Sequence, residues 1–186
     1  MTARILCFLA PWLVATLALA ADDSDIAVEA VKDGATIHVE VDCPVNASRA
    51  IVWDVITDYD HMASFLPNVK QSVVRTRVGN RLQVYQKGQA SRGPLTIGFE
   101  NVREVDLVAQ TEVHSRVISG DTMPAEFITR IVERDGSLHI VHTGTYTPNM
   151  WVPPGIGPSL IAAETRRQYG DIRNEILRRA ARTPTQ

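Results

Sequence analysis

Residues 53–69 read Trp53-Asp54-Val55-Ile56-Thr57-Asp58-Tyr59-Asp60-His61-Met62-Ala63-Ser64-Phe65-Leu66-Pro67-Asn68-Val69. This stretch decides the architecture, because a helical period stops inside it and a strand period begins after it. Just upstream, Ser48 is a candidate helix cap. From there Ile51, Val52, Val55, Ile56 and Tyr59 recur at helical spacing and make one apolar face. Asp60 to Phe65 reads as a second, short helical turn. Pro67 stops it, since proline lacks an N–H and disfavours helix in the residue before it.

Working outward, Thr36-Ile37-His38-Val39-Glu40-Val41 alternates polar and apolar residues, the period of a half-buried strand. Downstream lie strand-like runs at Lys70–Val78, Arg81–Ala90, Leu95–Asp106, Gln110–Ser119, Ala125–Arg134 and Leu138–Thr147. Turn residues separate them: Gly79-Asn80, Arg92-Gly93-Pro94, Gly120-Asp121 and Asp135-Gly136. Asp135-Gly136 is the clearest hairpin signal, because a type I′ turn needs positive φ at both central residues. Strands joined by such short turns run antiparallel. After a Pro- and Gly-rich segment, Ser159 is a candidate cap for a last helix running to about Arg179. Ile161, Thr165, Tyr169, Ile172 and Ile176 share the face that would pack on the sheet. The pattern predicts an α+β domain with helices covering one face of an antiparallel sheet.

These residues resemble a known family. The order of elements is similar to the helix-grip fold, a curved antiparallel sheet wrapped around a long C-terminal helix. Asp58-Tyr59 and Phe65-Leu66-Pro67 resemble a signature of START-like proteins, the polyketide cyclase/dehydrase and lipid-transport (SRPBCC) superfamily. More narrowly, they look like the coenzyme Q-binding START-domain branch. The resemblance spans roughly Thr36 to Ala180. It implies a cavity between sheet and helix that takes a hydrophobic small molecule such as a lipid, isoprenoid or quinone. It implies no cofactor. Relatives in that branch work in mitochondria or cytoplasm, whereas this chain begins with an export-type segment, so their roles do not transfer directly.

That segment follows from the residues themselves. Arg4 precedes Ile5 to Leu19, which is apolar apart from Thr16, and Ala18-Leu19-Ala20 is an A-x-A cleavage pattern. Residues 1–21 therefore read as a signal peptide cleaved near Ala20/Ala21, with an uncleaved anchor as the alternative. The mature protein is then exported, and periplasmic in a Gram-negative cell. Residues 22–35 read as a lead-in and 36–182 as one START-like domain. The 186 residues, 45% of them apolar and 22% charged, suit one globular domain. A net charge of −2 with no long basic block argues against nucleic acid as a partner. With Cys7 in the signal, Cys43 is the sole mature cysteine. No internal disulfide is then possible, and Cys43 reads as a buried, inert thiol.

The chain carries no metal motif: His38, His61, His114, His139 and His142 form neither H-x-x-x-H nor H-E-x-x-H. His139 and His142 face opposite sides of a regular strand. There is no G-x-S-x-G elbow and no phosphate loop. Asp106, Glu112, His114, Arg116, Glu126 and Arg130 are the acid–base candidates of a cyclase-like or dehydratase-like alternative. Yet Glu112, His114 and Arg116 alternate with Val113, Ser115 and Val117, which assigns them to a wet strand face.

The candidate cavity lining is Phe65, Tyr85, Phe99, Phe127, Tyr146, Trp151, Ile161 and Tyr169. Met150-Trp151-Val152-Pro153-Pro154 reads either as a mouth that touches a membrane transiently or as a stiff connection. The last helix carries Arg166, Arg167, Arg173, Arg178, Arg179 and Arg182, read as a solvated face with helical ion pairs. An envelope interaction protein working through these arginines or Trp151, with a vestigial cavity, is the third reading. Oligomeric state is not legible.

Overall fold

The computed structural model describes residues 23–92, 95–121, 124–147 and 157–182. The export-type segment and the segment bearing Trp151 lie outside the described residues. Eight strands form one sheet: β1 (Ala27–Asp33), β2 (Thr36–Val45), β3 (Val69–Val78), β4 (Arg81–Arg92), β5 (Leu95–Val108), β6 (Glu112–Gly120), β7 (Ala125–Arg134) and β8 (Ser137–Tyr146). Their order is β1-β2-β8-β7-β6-β5-β4-β3, and every neighbouring pair is antiparallel. The helices are α1 (Arg49–Ile56), α2 (Met62–Phe65) and α3 (Gly157–Ala180). This is the helix-grip arrangement, with the long C-terminal helix held by a curved sheet.

Local chemistry explains most boundaries. Ser48 caps α1, its hydroxyl accepting from the Ile51 N–H at 3.4 Å. Asp135 and Gly136 hold φ of 49° and 78°, the left-handed pair that the β7–β8 hairpin requires. Val39, Val41 and Cys43 of β2, Leu82 and Val84 of β4, Val105 of β5 and Ile140 of β8 fill the inner face and are essentially inaccessible. Ile172 and Ile176 of α3 pack into the same core. Burial of this face is the main driving force for the fold.

Three elements differ from the sequence reading. Within the lead-in, residues 27–33 form β1, laddered on β2 from Ala27↔Asp42 to Asp33↔Thr36. None of its side chains is fully buried, so its strand signal is weak. Helix α3 starts at Gly157, so Ser159 lies in its first turn rather than capping it. Pro158 fits there because early helical positions have no N–H partner to lose. Strand β6 begins at Glu112, since Gln110 turns the chain with a φ of 56°.

Helix α3 is clasped at both ends of the described fold. Arg173, only 5% exposed, donates to Asp25 at 2.7 Å and Asp23 at 2.9 Å. Arg166 donates to the Ile26 carbonyl at 2.9 Å. Arg179 donates to Asp58 at 2.7 Å and lies over the Phe65 ring. These arginines therefore anchor the helix; Arg167 pairs along it with Glu164 as expected of a wet face, whereas Arg178 and Arg179 share the buried Glu175. Burial works against the Asp58 carboxylate, but hydrogen bonds from His61 and Arg179 outweigh it and hold its pKa below the usual range.

At the far edge of the sheet, β3 pairs only with β4. Its register slips between Val69 and Gln71 and again between Val74 and Thr76. Asp60 accepts the Val74 N–H at 2.7 Å.

Cys43 is fully buried, and burial pushes its thiol up to about 12. Iodoacetamide at mildly alkaline pH should leave it unmodified in native protein and label it in denaturant. Peptide mapping by mass spectrometry reads the outcome, and fast native labelling would contradict the assigned burial.

Candidate ligand-binding cavity

Between the sheet and α3 lies a cavity of about 330 Å³. The fold builds it by leaving inward positions unfilled. Strand alternation aims Gln86 of β4, Phe99, Asn101 and Arg103 of β5, Val113 and Ser115 of β6, Phe127 and Thr129 of β7, and His142 and Tyr146 of β8 at α3. Helix α3 answers with Ile161, Thr165, Gln168, Tyr169 and Ile172. The corner around α2 closes one side with Tyr59, Met62, Leu66 and Asn68.

Aromatic packing shapes the wall. The rings of Phe127 and His142 stack at 5.6 Å with an interplanar angle of 17°. Tyr146 lies 6.3 Å from Phe127, and Tyr169 lies 5.6 Å from His142. Phe127 can lie across β8 because its ladder partner is Gly144: a Cβ there would sit 2.3 Å from the Phe127 ring. The Arg103 guanidinium lies 5.7 Å from the Phe127 centroid, a cation–π distance.

The polar groups of the wall form short local chains. Gln86 donates to Ser72 at 3.1 Å. Arg103 donates to the Asn101 side-chain amide oxygen Oδ1 through Nε and Nη2, both at 3.3 Å. His142 Nδ1 and the Thr129 hydroxyl are 2.9 Å apart, and Thr129 also bonds the Tyr169 hydroxyl. Ser115 Oγ and Asn68 Oδ1 are buried and have no hydrogen-bond partner.

Titration behaviour follows from enclosure. Burial, with Arg103 as a second cause, pushes His142 down to about 4, so the imidazole is neutral at physiological pH. Burial pushes the phenols of Tyr59 and Tyr146 up to about 12, and Tyr169 higher still. Burial also lowers the Arg103 guanidinium, which stays charged because its ordinary value is so high. Among the described wall residues there is no Asp, Glu or Lys.

Of the residues singled out in the sequence, Phe99, Phe127, Tyr146, Ile161 and Tyr169 are in the wall. Two are not. Tyr85 points away from it, bonding Glu100 at 3.0 Å with Arg75 over its ring at 4.5 Å, because β4 aims Val84 and Gln86 inward instead. Phe65 packs behind the wall, its ring 5.8 Å from the Arg179 guanidinium. Trp151 lies outside the described residues.

The acid–base candidates are on the outer face, as their alternation indicated. Arg130 and His114 both bond Glu112, at 3.1 and 2.6 Å, Arg116 bonds Glu104 at 3.1 Å, and Arg81 bonds Asp106 at 2.7 Å. Glu126 is exposed. His139 bonds Asp42 outside while its near neighbour His142 is in the wall. Among the described residues, no cluster of His, Cys, Asp and Glu could hold a metal. The sequence reading missed Arg103, Asn101, Ser115 and Thr129 as wall residues. The available signal was strand parity: Asn101 and Arg103 share the phase of Phe99 and Val105.

A long helix gripped by a curved antiparallel sheet, with a lined cavity between them, defines the helix-grip class of START-like domains. Within that class the chain belongs to the polyketide cyclase/dehydrase and lipid transport family, whose model matches residues 36–179. Solved structures share the fold. An aromatase/cyclase, Zhui, from a Streptomyces species has a TM-score of 0.60 at 16% identity, covering 79% of this chain and 94% of its own. A START superfamily protein from Mycobacterium smegmatis has a TM-score of 0.63 at 12% identity, covering 76% and 97%. A STAR-related lipid transfer protein from Xanthomonas axonopodis has a TM-score of 0.59 at 10% identity, covering 81% and 98%. No curated protein matches the sequence.

Proposed function

We propose that this protein binds and carries a hydrophobic small molecule, such as a lipid, isoprenoid or quinone, in the cavity between sheet and α3. The observation that carries this reading is the partly open space of about 330 Å³, more apolar than polar, at the small end of the roughly 300–1,000 Å³ usual for ligand pockets. Family membership supports it. Sequestration is favoured over acid–base turnover because the described wall residues include no carboxylate or lysine, and His142, held down at about 4, is a weak base at neutral pH. The same reading places the protein outside the cytoplasm, with residues 1–21 as a cleaved signal. N-terminal sequencing of the mature protein tests that part.

Binding would draw on apolar burial, about 0.8 kcal/mol per methylene. In a series of straight-chain alcohols, affinity should therefore rise about fourfold per added carbon until the cavity is full, then level off. Organic extraction and mass spectrometry of protein from its native compartment should recover a stoichiometric apolar ligand. An empty protein that also shows no chain-length dependence would end the carrier reading.

A further inference from the structure

Among the described residues, Arg103 is the one charged side chain in the cavity wall at neutral pH. Elsewhere the fold pairs its inward-turned arginines: Arg173 has Asp23 and Asp25, and Arg179 has Asp58 and Glu175. Arg103 has none of this. Among the described residues, no carboxylate comes within ion-pair distance, and its hydrogen bonds are the two long ones to the neutral Asn101 amide. Its guanidinium is flanked by the Phe127 ring, and its positive charge is felt at His142 and Tyr59, which also belong to the wall. The guanidinium is half-buried, and a cation partly withdrawn from water without a counter-charge is costly, more so once a ligand covers it.

The remaining wall chemistry agrees. The Ser115 hydroxyl, unpartnered and only 8% exposed, is in the same wall. The rest of that wall mixes aromatic and aliphatic side chains with the neutral amides and hydroxyls of Asn68, Gln86, Asn101, Thr129, Thr165 and Gln168. Among the described residues, the cavity thus combines one fixed cation, neutral hydrogen-bonding groups and an apolar body, with no fixed anion.

Resting on the carrier reading above, we infer that the ligand is an amphipathic organic acid whose carboxylate pairs with Arg103 while its apolar body fills the cavity. Guanidinium and carboxylate match as a two-pronged, charge-assisted pair, stronger than neutral hydrogen bonds. A neutral ligand of the same body would cover the half-buried arginine and leave it unpaired. An amine would add a like charge.

The test is calorimetric titration at neutral pH with three probes of one chain length: decanoate, 1-decanol and decylamine. A second pair, 2-naphthoate and 2-naphthylmethanol, distinguishes a chain from a fused-ring body. The acid should bind at least tenfold more tightly than its alcohol in one or both sets, and decylamine weakest of all. Arg103→Met should erase the acid's advantage while alcohol binding is kept or improved. Arg103→Lys, which restores a charge without the fork, should recover part of it. Equal affinity of acid and alcohol for the parent protein would overturn the inference while leaving the carrier reading intact. So would an acid preference that survives Arg103→Met. If no probe of either set binds, the carrier reading and the inference fall together.

Discussion

Replacing Gly88 with alanine is expected to destabilise the protein by about 3 kcal/mol, the upper end for overpacking a filled site. Gly88 lies in β4 opposite Val69, where the β3 register slips. A Cβ there would come within 2.1 Å of the Asn68 carbonyl oxygen and 2.6 Å of the Phe99 ring. The carbonyl cannot step aside cheaply, because it accepts the Gln89 N–H at 2.8 Å. Phe99 would move instead, and it is a cavity wall. Thermal unfolding should show Tm lowered by roughly 6–12 °C for a domain of this size. Gly98→Ala is the matched control: the nearest atom to its new Cβ, the Gly88 carbonyl oxygen, is 3.8 Å away, an ordinary contact. Similar small losses at both positions would refute the close-approach argument.

The second large effect is on pH dependence. His142 titrates at about 4 in the folded protein against an ordinary 6.5. Between those values the unfolded chain binds more protons than the folded one, so stability rises with pH across this window. The contribution is complete above pH 6.5 and lost as pH falls toward 4, in total about 3 kcal/mol. Arg103, Phe127, Thr129 and Tyr169 surround the ring, and none of them supplies a negative charge that would stabilise the imidazolium. Asp58 works in a separate window: its lowered pKa adds stability that disappears only in stronger acid. Denaturant titrations at neutral and mildly acidic pH should show a steep loss in the parent protein. His142→Gln keeps a partner for Thr129 but cannot charge, so it should flatten the curve. Identical slopes in the two proteins would show that His142 is not the titrating group.

Strand period and turn chemistry made most of the fold legible. The starts or ends of β2, β3, β4, β5, β7 and α1 follow directly from alternation, Ser48 and the glycine turns, because those signals are local. β1 was hidden because Ala27, Glu29, Ala30 and Lys32 carry little strand preference, and its place depends on β2 and on Arg166 and Arg173 reaching from α3. The site was legible in part. Large apolar residues such as Phe99, Phe127 and Tyr169 stand out by type. Tyr85 stands out equally, yet its phase with Arg81 and Lys87 rather than Leu82 and Val84 marks it as outward. Arg103 reverses that lesson: residue type suggests water, while parity with Phe99 and Val105 assigns it to the interior. What parity cannot reveal is the missing partner, since ion pairs join residues far apart in the chain.

The irregular β3 margin has a consequence for colloidal behaviour. A terminal strand with free amides is a template on which further chains polymerise. Here the template is spoiled three times over. Its two register slips interrupt the spacing that an incoming strand must match. Asp60 has already taken the Val74 amide. Lys70, Arg75 and Arg77 project from the strand into solvent, so two such margins brought together would repel. A domain that keeps an apolar hollow in its middle is thus protected at this edge against strand-by-strand fibre growth.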